Sequence, residues 1–421
     1  MALSNAFTGV LSTVGELFFK PFNDVFPNLT NRKFCPAYDD ELWLRAGIQR
    51  VMDKSESGRG FLQEYAVQWD VMPKRSNYFE ALKSSRRADM AEEMNLKIAA
   101  HAESSFEDRL SGIDELKDYE VFAIDGHWHR GATHDPKSSE KKISTGHFFS
   151  LNLRCHTLRN LAVNEYHKEH DMHVLKRLKP AGIRQGVERG RRVLAVYDRA
   201  GIDFKFWKRR RKECAVYFLS RVKEGMVFEQ LLELPWDKKD SRNAGVIRDH
   251  QVQSAEKIHM RVIQYTDPET GEEYEFLTNV MDLPPGVLVE LYRRRWEIEK
   301  VFDDLKNKLS EKRSWSSDLV GKRSQGQLLA LTYNLVRLSE EHLETKYQVA
   351  NQAEQVRRNK RKAELARKAR RNGRQVSSLR LKAHRATQRS VKLFRWIRGS
   401  LRSGITVAAA LPFLRASYAT L

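Results

Sequence analysis

Tyr292, Arg295, Glu299 and Lys306 stand at the spacing Y-x2-R-x3-E-x6-K, and residues of these types could together handle a phosphodiester. At about 100° per residue, offsets of 3, 7 and 14 from Tyr292 fall within about 60° of one another on one unbroken helix. The four side chains then form a stripe about 20 Å long at ~1.5 Å per residue. Leu291, Ile298, Val301, Phe302, Leu305 and Leu309 cluster on an adjoining face, so the stripe borders the buried side of the helix. A carboxylate there seeks a metal, and the flanking cations seek phosphate. Helices also carry Glu and Lys or Arg three or four apart as simple solvated pairs. The stripe therefore gains meaning only from acids elsewhere in the chain.

Two such acids follow compact apolar runs. Tyr119 to Asp125 reads as a buried strand stopping on an acid, and Val193 to Asp198 repeats the theme. Phe148 to Leu153, with Phe149, Leu151 and Leu153 on one face, and Ala215 to Arg221 are further strands. Either aspartate alone reads as an ordinary residue at a strand end. Carboxylates that converge repel one another and demand a counter-charge, which a divalent metal supplies. Two Mg²⁺ ions ~3.5–4 Å apart can activate a water or 3′-hydroxyl and stabilise the departing oxygen. Asp125, Asp198 and Glu299 are thus the candidate catalytic and metal-binding residues.

These residues sit in a chain of 421 residues, long enough for two or three domains. Lys and Arg outnumber Asp and Glu by 75 to 55, a net charge of +20 that calls for a polyanionic partner. No apolar run approaches the ~18 residues of a spanning helix, so nucleic acid is preferred to a membrane. Met1 to Lys20 is mildly apolar but has no basic leader and is interrupted by Glu16, so it does not read as a signal peptide. Three cysteines without a CxxC pair fit a reduced, cytoplasmic protein without structural zinc. Residues 1–112 read as a helical module, with Ser76 capping a helix that runs through Leu82 into Lys83, Arg86 and Arg87. Residues 113–223 and 282–345 read as two parts of an α/β core. They flank a β-rich segment at 224–281, and a second amphipathic helix spans about Gly326 to Leu343. Residues 346–421 form a basic, helix-prone tail: from Arg357 to Arg402 there are 18 Lys or Arg against one acid, Glu364, so the tail carries most of the net charge.

At this point the chain resembles the bacterial insertion-sequence transposases with a DDE triad and a Tyr-Arg-Glu-Lys signature. The resemblance rests on Ala123-Ile124-Asp125-Gly126, Val196-Tyr197-Asp198-Arg199, Phe276-Leu277-Thr278-Asn279, and Tyr292 through Glu299 to Lys306, and it covers roughly residues 70 to 340. It implies a ribonuclease-H-like mixed sheet interrupted by a β-rich insertion between Asp198 and Glu299. It implies Asp125, Asp198 and Glu299 as the triad on two Mg²⁺ ions, with Mn²⁺ able to substitute. Tyr292, Arg295 and Lys306 would position transposon-end phosphates, with Arg199 beside them. Relatives cut both strands through a hairpin, join the 3′-hydroxyls to target DNA, and act as homodimers on double-stranded ends. One aromatic in the insertion receives a flipped base; the matching position here is Tyr274, where Trp is more usual. Residues 1–112 would bind the DNA end.

Lys205 to Lys212 interleaves cations with aromatics, and Trp207, Lys208, Arg209 and Arg210 are expected to contact nucleic acid by stacking and by phosphate binding. His127, His129, His134 and Asp135 lack the ligand spacing of a zinc site and read as polar loop residues. The alternatives to a transposase are a ribonuclease-H-like nuclease that does not join strands and a non-catalytic nucleic-acid-binding protein.

Overall fold

The computed structural model describes residues 13–419, apart from 36–37, 54–56, 68–72, 136, 139–140, 143, 167–168, 310–311, 350–351 and 383–390. Most of the mildly apolar N-terminal stretch thus lies outside the described residues. Five helices come first: α1 (Val14–Val25), α2 (Asp40–Met52), α3 (Gly58–Ala66), α4 (Arg75–Ala81) and α5 (Ser85–Ser105). Ser76 does not cap α4. The chain turns after Ala81, and Ser84 caps a separate helix by accepting from Arg87 N. Arg86 and Arg87 are spent on the buried Asp40, at 2.7 and 3.0 Å, because an unpaired buried carboxylate would be costly.

The sheet strands are β1 (Tyr119–Arg130), β2 (Ser144–Asn152), β3 (Leu158–Val163), β4 (Arg192–Val196), β5 (Val216–Arg221), β6 (Glu229–Glu233), β7 (Val246–Gln253), β8 (His259–Thr266) and β9 (Glu273–Thr278). Among the described residues they make one nine-stranded sheet in the order β3-β2-β1-β4-β5-β9-β8-β7-β6. β1 runs antiparallel to β2 and parallel to β4, and β4 runs parallel to β5. The β-rich segment joins this same sheet, since β9 pairs antiparallel with β5.

Between strands lie α6 (Asp171–Arg177), α7 (Pro180–Arg184) and α8 (Phe204–Cys214), which cover one face. α9 (Pro285–Arg294), α10 (Glu297–Asn307) and α11 (Leu319–Tyr347) cover the other together with the N-terminal helices. Being covered twice, the central strands are apolar throughout, and alternation sorts their side chains. Phe122, Ile124, Val193 and Ala195 enter the α6–α8 core, whereas Val121, Ala123, Leu194 and Val196 enter the core beneath α9–α11. β2 is likewise buried on both faces rather than one. Asn334 of α11 clamps the edge strand β3, accepting from Leu158 N and donating to Leu158 O and Asn95 Oδ1, each at 2.8 Å.

The basic tail is helical and docked: α12 (Gln352–Arg371), α13 (Ser378–Lys382), α14 (Val391–Ser403) and α15 (Val407–Ala419). Phe394, Ile397 and Leu414 are buried in the same core as Phe18 and Phe22. Thr13 bridges to Thr406, and Val14 N donates to Ile405 O at 2.9 Å.

Candidate active site

Alternation along two strands places both aspartates. Asp125 shares the phase of Val121 and Ala123, and Asp198 that of Leu194 and Val196, so both head the sheet face that α10 covers. Asp125 does not end its strand, because β1 continues to Arg130 on its antiparallel pairing with β2. The parallel pairing with β4 does end at Ala123 and Val196, so Asp125 lies just beyond it. Asp198, two residues past β4, caps the short turn Arg199–Gly201 by accepting from Ala200 N at 2.8 Å.

The signature stretch is not one helix. α9 ends at Arg294 and α10 begins at Glu297, with tightened i→i+3 bonds to the Tyr292 and Arg295 carbonyls between them. The cause is a buried cluster. Glu297 is buried and bonds His156 Nε2, with Arg294 and Arg109 nearby. Burial opposes its charge, but His156 and these two arginines overcome that and hold the carboxyl down at about 2. Burial and Arg109 keep His156 itself neutral, at about 3. With Glu297 drawn inward, Glu299 is left at the site margin, and it is the acid that meets Arg295.

Arg295 is the hub. Its Nη1 donates to Asp125 Oδ2 at 3.1 Å and its Nη2 to Glu299 Oε1 at 3.0 Å. Burial disfavours its charge, yet Asp125, Glu299 and Asp198 keep it firmly protonated. The Asp125 carboxyl is pushed up to about 7, first by burial; Arg295 opposes the rise and Asp198 adds to it. Residues from β1, from the end of β4 and from α10 therefore feel one another electrostatically. Among the described residues, no group of three or more His, Cys, Asp or Glu side chains stands ready around a metal. The donor set is nonetheless all carboxylate oxygen, which suits hard divalent cations, and Arg295 now neutralises two of the three.

Tyr292 is buried against Phe276, with ring centroids 5.0 Å apart. Lys306 is exposed on α10, seven residues and so two turns beyond Glu299 on the same face. Arg199 is exposed beside Asp198. Tyr274 is half-buried, with Arg221 4.4 Å above its ring and its hydroxyl on Glu272. The structure corrects two expected nucleic-acid contacts. Trp207 is 1% exposed, packs on Phe218 and donates from Nε1 to Gly201 O at 2.8 Å. Arg210 is buried and donates to Leu178 O at 2.7 Å. Neither can reach DNA, whereas Lys208 and Arg209 on the same helix are exposed. Trp207→Ala should cost about 3–5 kcal/mol in denaturant unfolding, as core truncations of this size do. A loss under about 1 kcal/mol would show that the ring is not packed as described.

Two residues near the site escaped the sequence reading. Asp171 opens α6, and its carboxyl is raised by burial and then by Asp198. Trp296, at the junction of α9 and α10, is 60% exposed next to Arg295. Its place in the signature, one residue after the arginine, was the available signal.

Comparison with protein-family models matches residues 116–335 to the transposase DDE domain. The match spans both aspartates, the signature and most of α11, just over half of the chain. The protein belongs to this family of DDE transposases, enzymes that act on DNA and generally use divalent metal ions. No curated protein matches the chain significantly. Among the described residues, no helix is long and apolar enough to cross a membrane.

Proposed function

We propose that this transposase cleaves DNA at the ends of an insertion sequence and joins the freed 3′-hydroxyls to target DNA, through a hairpin at the element end. Asp125, Asp198 and Glu299 would hold the divalent metals, Mg²⁺ by preference and Mn²⁺ in its place; bound there, the metals would polarise the scissile phosphate and its attacking oxygen. The observation that carries the reading is Arg295 bridging Asp125 and Glu299 while the charge of Asp198 is felt by Asp125 and Arg295. Opening of that bridge frees two carboxylates for metal and a guanidinium for phosphate at once. The donors Arg295 presents suit a phosphodiester, which it can grip with two N–H groups.

Tyr292 fixes the arginine, and Lys306 meets the backbone further along α10. Arg199, Lys208 and Arg209 are exposed and follow Asp198 in the sequence, and they would hold flanking phosphates. Supporting a ribonuclease-H-like core is the β3-β2-β1-β4-β5 order, with β6–β9 as the insertion. A homodimer acting on two ends, with residues 1–112 gripping each end, completes the reading. Tyr274 and the exposed Trp296 are the aromatics for an extruded base.

The test is Mg²⁺-dependent cleavage and joining on duplexes carrying the element's own ends. Glu299→Ala should abolish both while leaving end binding measurable, since duplex affinity comes mostly from cations. Cleavage surviving that change would remove α10 from the chemistry. Cleavage without joining in the unaltered protein would make it a nuclease. Lys208→Ala with Arg209→Ala should flatten the log–log salt dependence of binding by about 1–2, at ~0.9 per phosphate.

A further inference from the structure

His127 stands two residues beyond Asp125, on the same face of β1. It is not a loop residue: it lies within the strand, opposite His147 of β2, and is 8% exposed. Its ring stacks on Phe302 of α10, with centroids 4.7 Å apart and planes 28° from parallel. Phe302 also meets Phe149, with centroids 6.0 Å apart. Phe149 is the residue paired across from Asp125 in the β1–β2 register. The Phe302 ring is therefore seated on both neighbours of Asp125, one along its own strand and one across the pair.

At the other end of this contact is Glu299. It precedes Phe302 by three residues, about 60° away around α10 and ~4.5 Å along its axis. α10 has only eleven residues and is set off from α9 by the tightened junction at Arg295. Its placement over β1 must therefore come from its own contacts. Ile298, Val301 and Leu305 bury it in the core it shares with Ala123 and Phe149, and Phe302 adds the ring contact beside Asp125. Arg295 also ties α10 to β1, but it must leave both carboxylates before they can share a cation. The ring contact does not depend on Arg295 and persists when that bridge opens.

We propose that His127 is a positioning residue of the metal site. Through its stack on Phe302 it sets the separation at which Asp125 and Glu299 share a divalent cation. The inference rests on those two acids being metal ligands. Carboxylates hold such ions at about 2.0–2.6 Å, so a small shift of α10 would spoil a shared site. The role belongs to the flat ring of His127 and not to its nitrogens.

The test is Mn²⁺ binding to the full chain without DNA, followed by the fall in the free-ion electron paramagnetic resonance signal. Sites lost in Asp125→Asn are those of the active centre. His127→Ala should weaken them about ten-fold or more, the scale for residues that orient metal ligands. Phe302→Ala should do the same, and the double variant should bind no worse than the weaker single, because both changes remove one contact. His127→Phe keeps a flat ring against Phe302 and should bind Mn²⁺ as wild type does. His127→Gln, polar but without a ring, should match the alanine variant and replaces it if alanine does not fold. Thermal unfolding in parallel shows that each variant is folded at the binding temperature. Wild-type affinity in folded His127→Ala or His127→Gln overturns the proposal. Weak binding by folded His127→Phe overturns it too, since the nitrogens would then carry the role. Mn²⁺ binding unchanged by Asp125→Asn would sink the assignment of the acids and this proposal with it. Loss in Asp125→Asn beside wild-type binding in His127→Gln would overturn this proposal alone.

Discussion

Asp125→Asn should abolish metal-dependent DNA cleavage while making the metal-free protein more stable at pH 8. The buried Asp125 carboxyl titrates at about 7 rather than at its ordinary 3.8. A carboxyl whose folded pKa is raised holds its proton more tightly in the native state. Its effect on stability is therefore absent well below pH 4 and grows unfavourable as pH rises from about 4 to about 7. Asn carries no such penalty and still accepts a bond from Arg295. The gain should be on the order of a few degrees in Tm, larger at pH 8 than at pH 5. Thermal unfolding of both proteins at the two pH values checks this. A variant less stable than wild type at pH 8 would mean that the pairing with Arg295 outweighs burial. A site that costs stability for chemistry is a familiar exchange in enzymes.

The second large effect concerns Glu297, the acid two residues before Glu299. Glu297→Ala should destabilise the fold by about 3–5 kcal/mol, the range for removing one partner of a buried pair. His156, Arg294 and Arg109 would be left around an uncharged gap. Glu299→Ala, whose side chain is 35% exposed, should change stability by less than about 1 kcal/mol. Denaturant unfolding of the two alanine variants separates the roles: similar losses would show that Glu299 is structural as well. The sign with pH follows. The Glu297 carboxyl is held down at about 2, so its contribution is present above its ordinary 4.5 and fades as pH falls towards 2. The Glu297→Ala protein should show a flatter acid limb than wild type.

The acids were legible because strand periodicity needs no tertiary information. Runs ending in Ile124-Asp125 and Tyr197-Asp198 announce buried strands with an acid at the edge of burial. The break at Arg295–Trp296 was not legible. No Gly or Pro marks it, and residues 292–299 all tolerate helix; only the pull of His156 on Glu297 from a distant loop tightens the turn. Trp207 and Arg210 were misread although the pattern could have sorted them. Phe206, Trp207 and Arg210 fall on one stripe of α8, while Lys205, Lys208, Arg209, Arg211 and Lys212 fall outside it. Interleaved aromatics and cations mean stacking on bases only when both share the exposed face. The tail misled in the same way, its charge drawing attention from Phe394, Ile397 and Leu401 at helical spacing. Asp267, Glu269 and Arg380 lie too far apart in the chain for any local pattern to pair them.

The meeting of Val14 with Ile405, and of Phe18 with the helices that follow α13, has a consequence in time. A ribosome adding ~5–20 residues per second takes tens of seconds to travel from one partner to the other. Throughout that interval α1 presents Val14, Phe18 and Phe22 with part of their cover not yet made. A message broken before the codons of α14 yields a chain that keeps every acid of the site and still lacks the seal on its first helix.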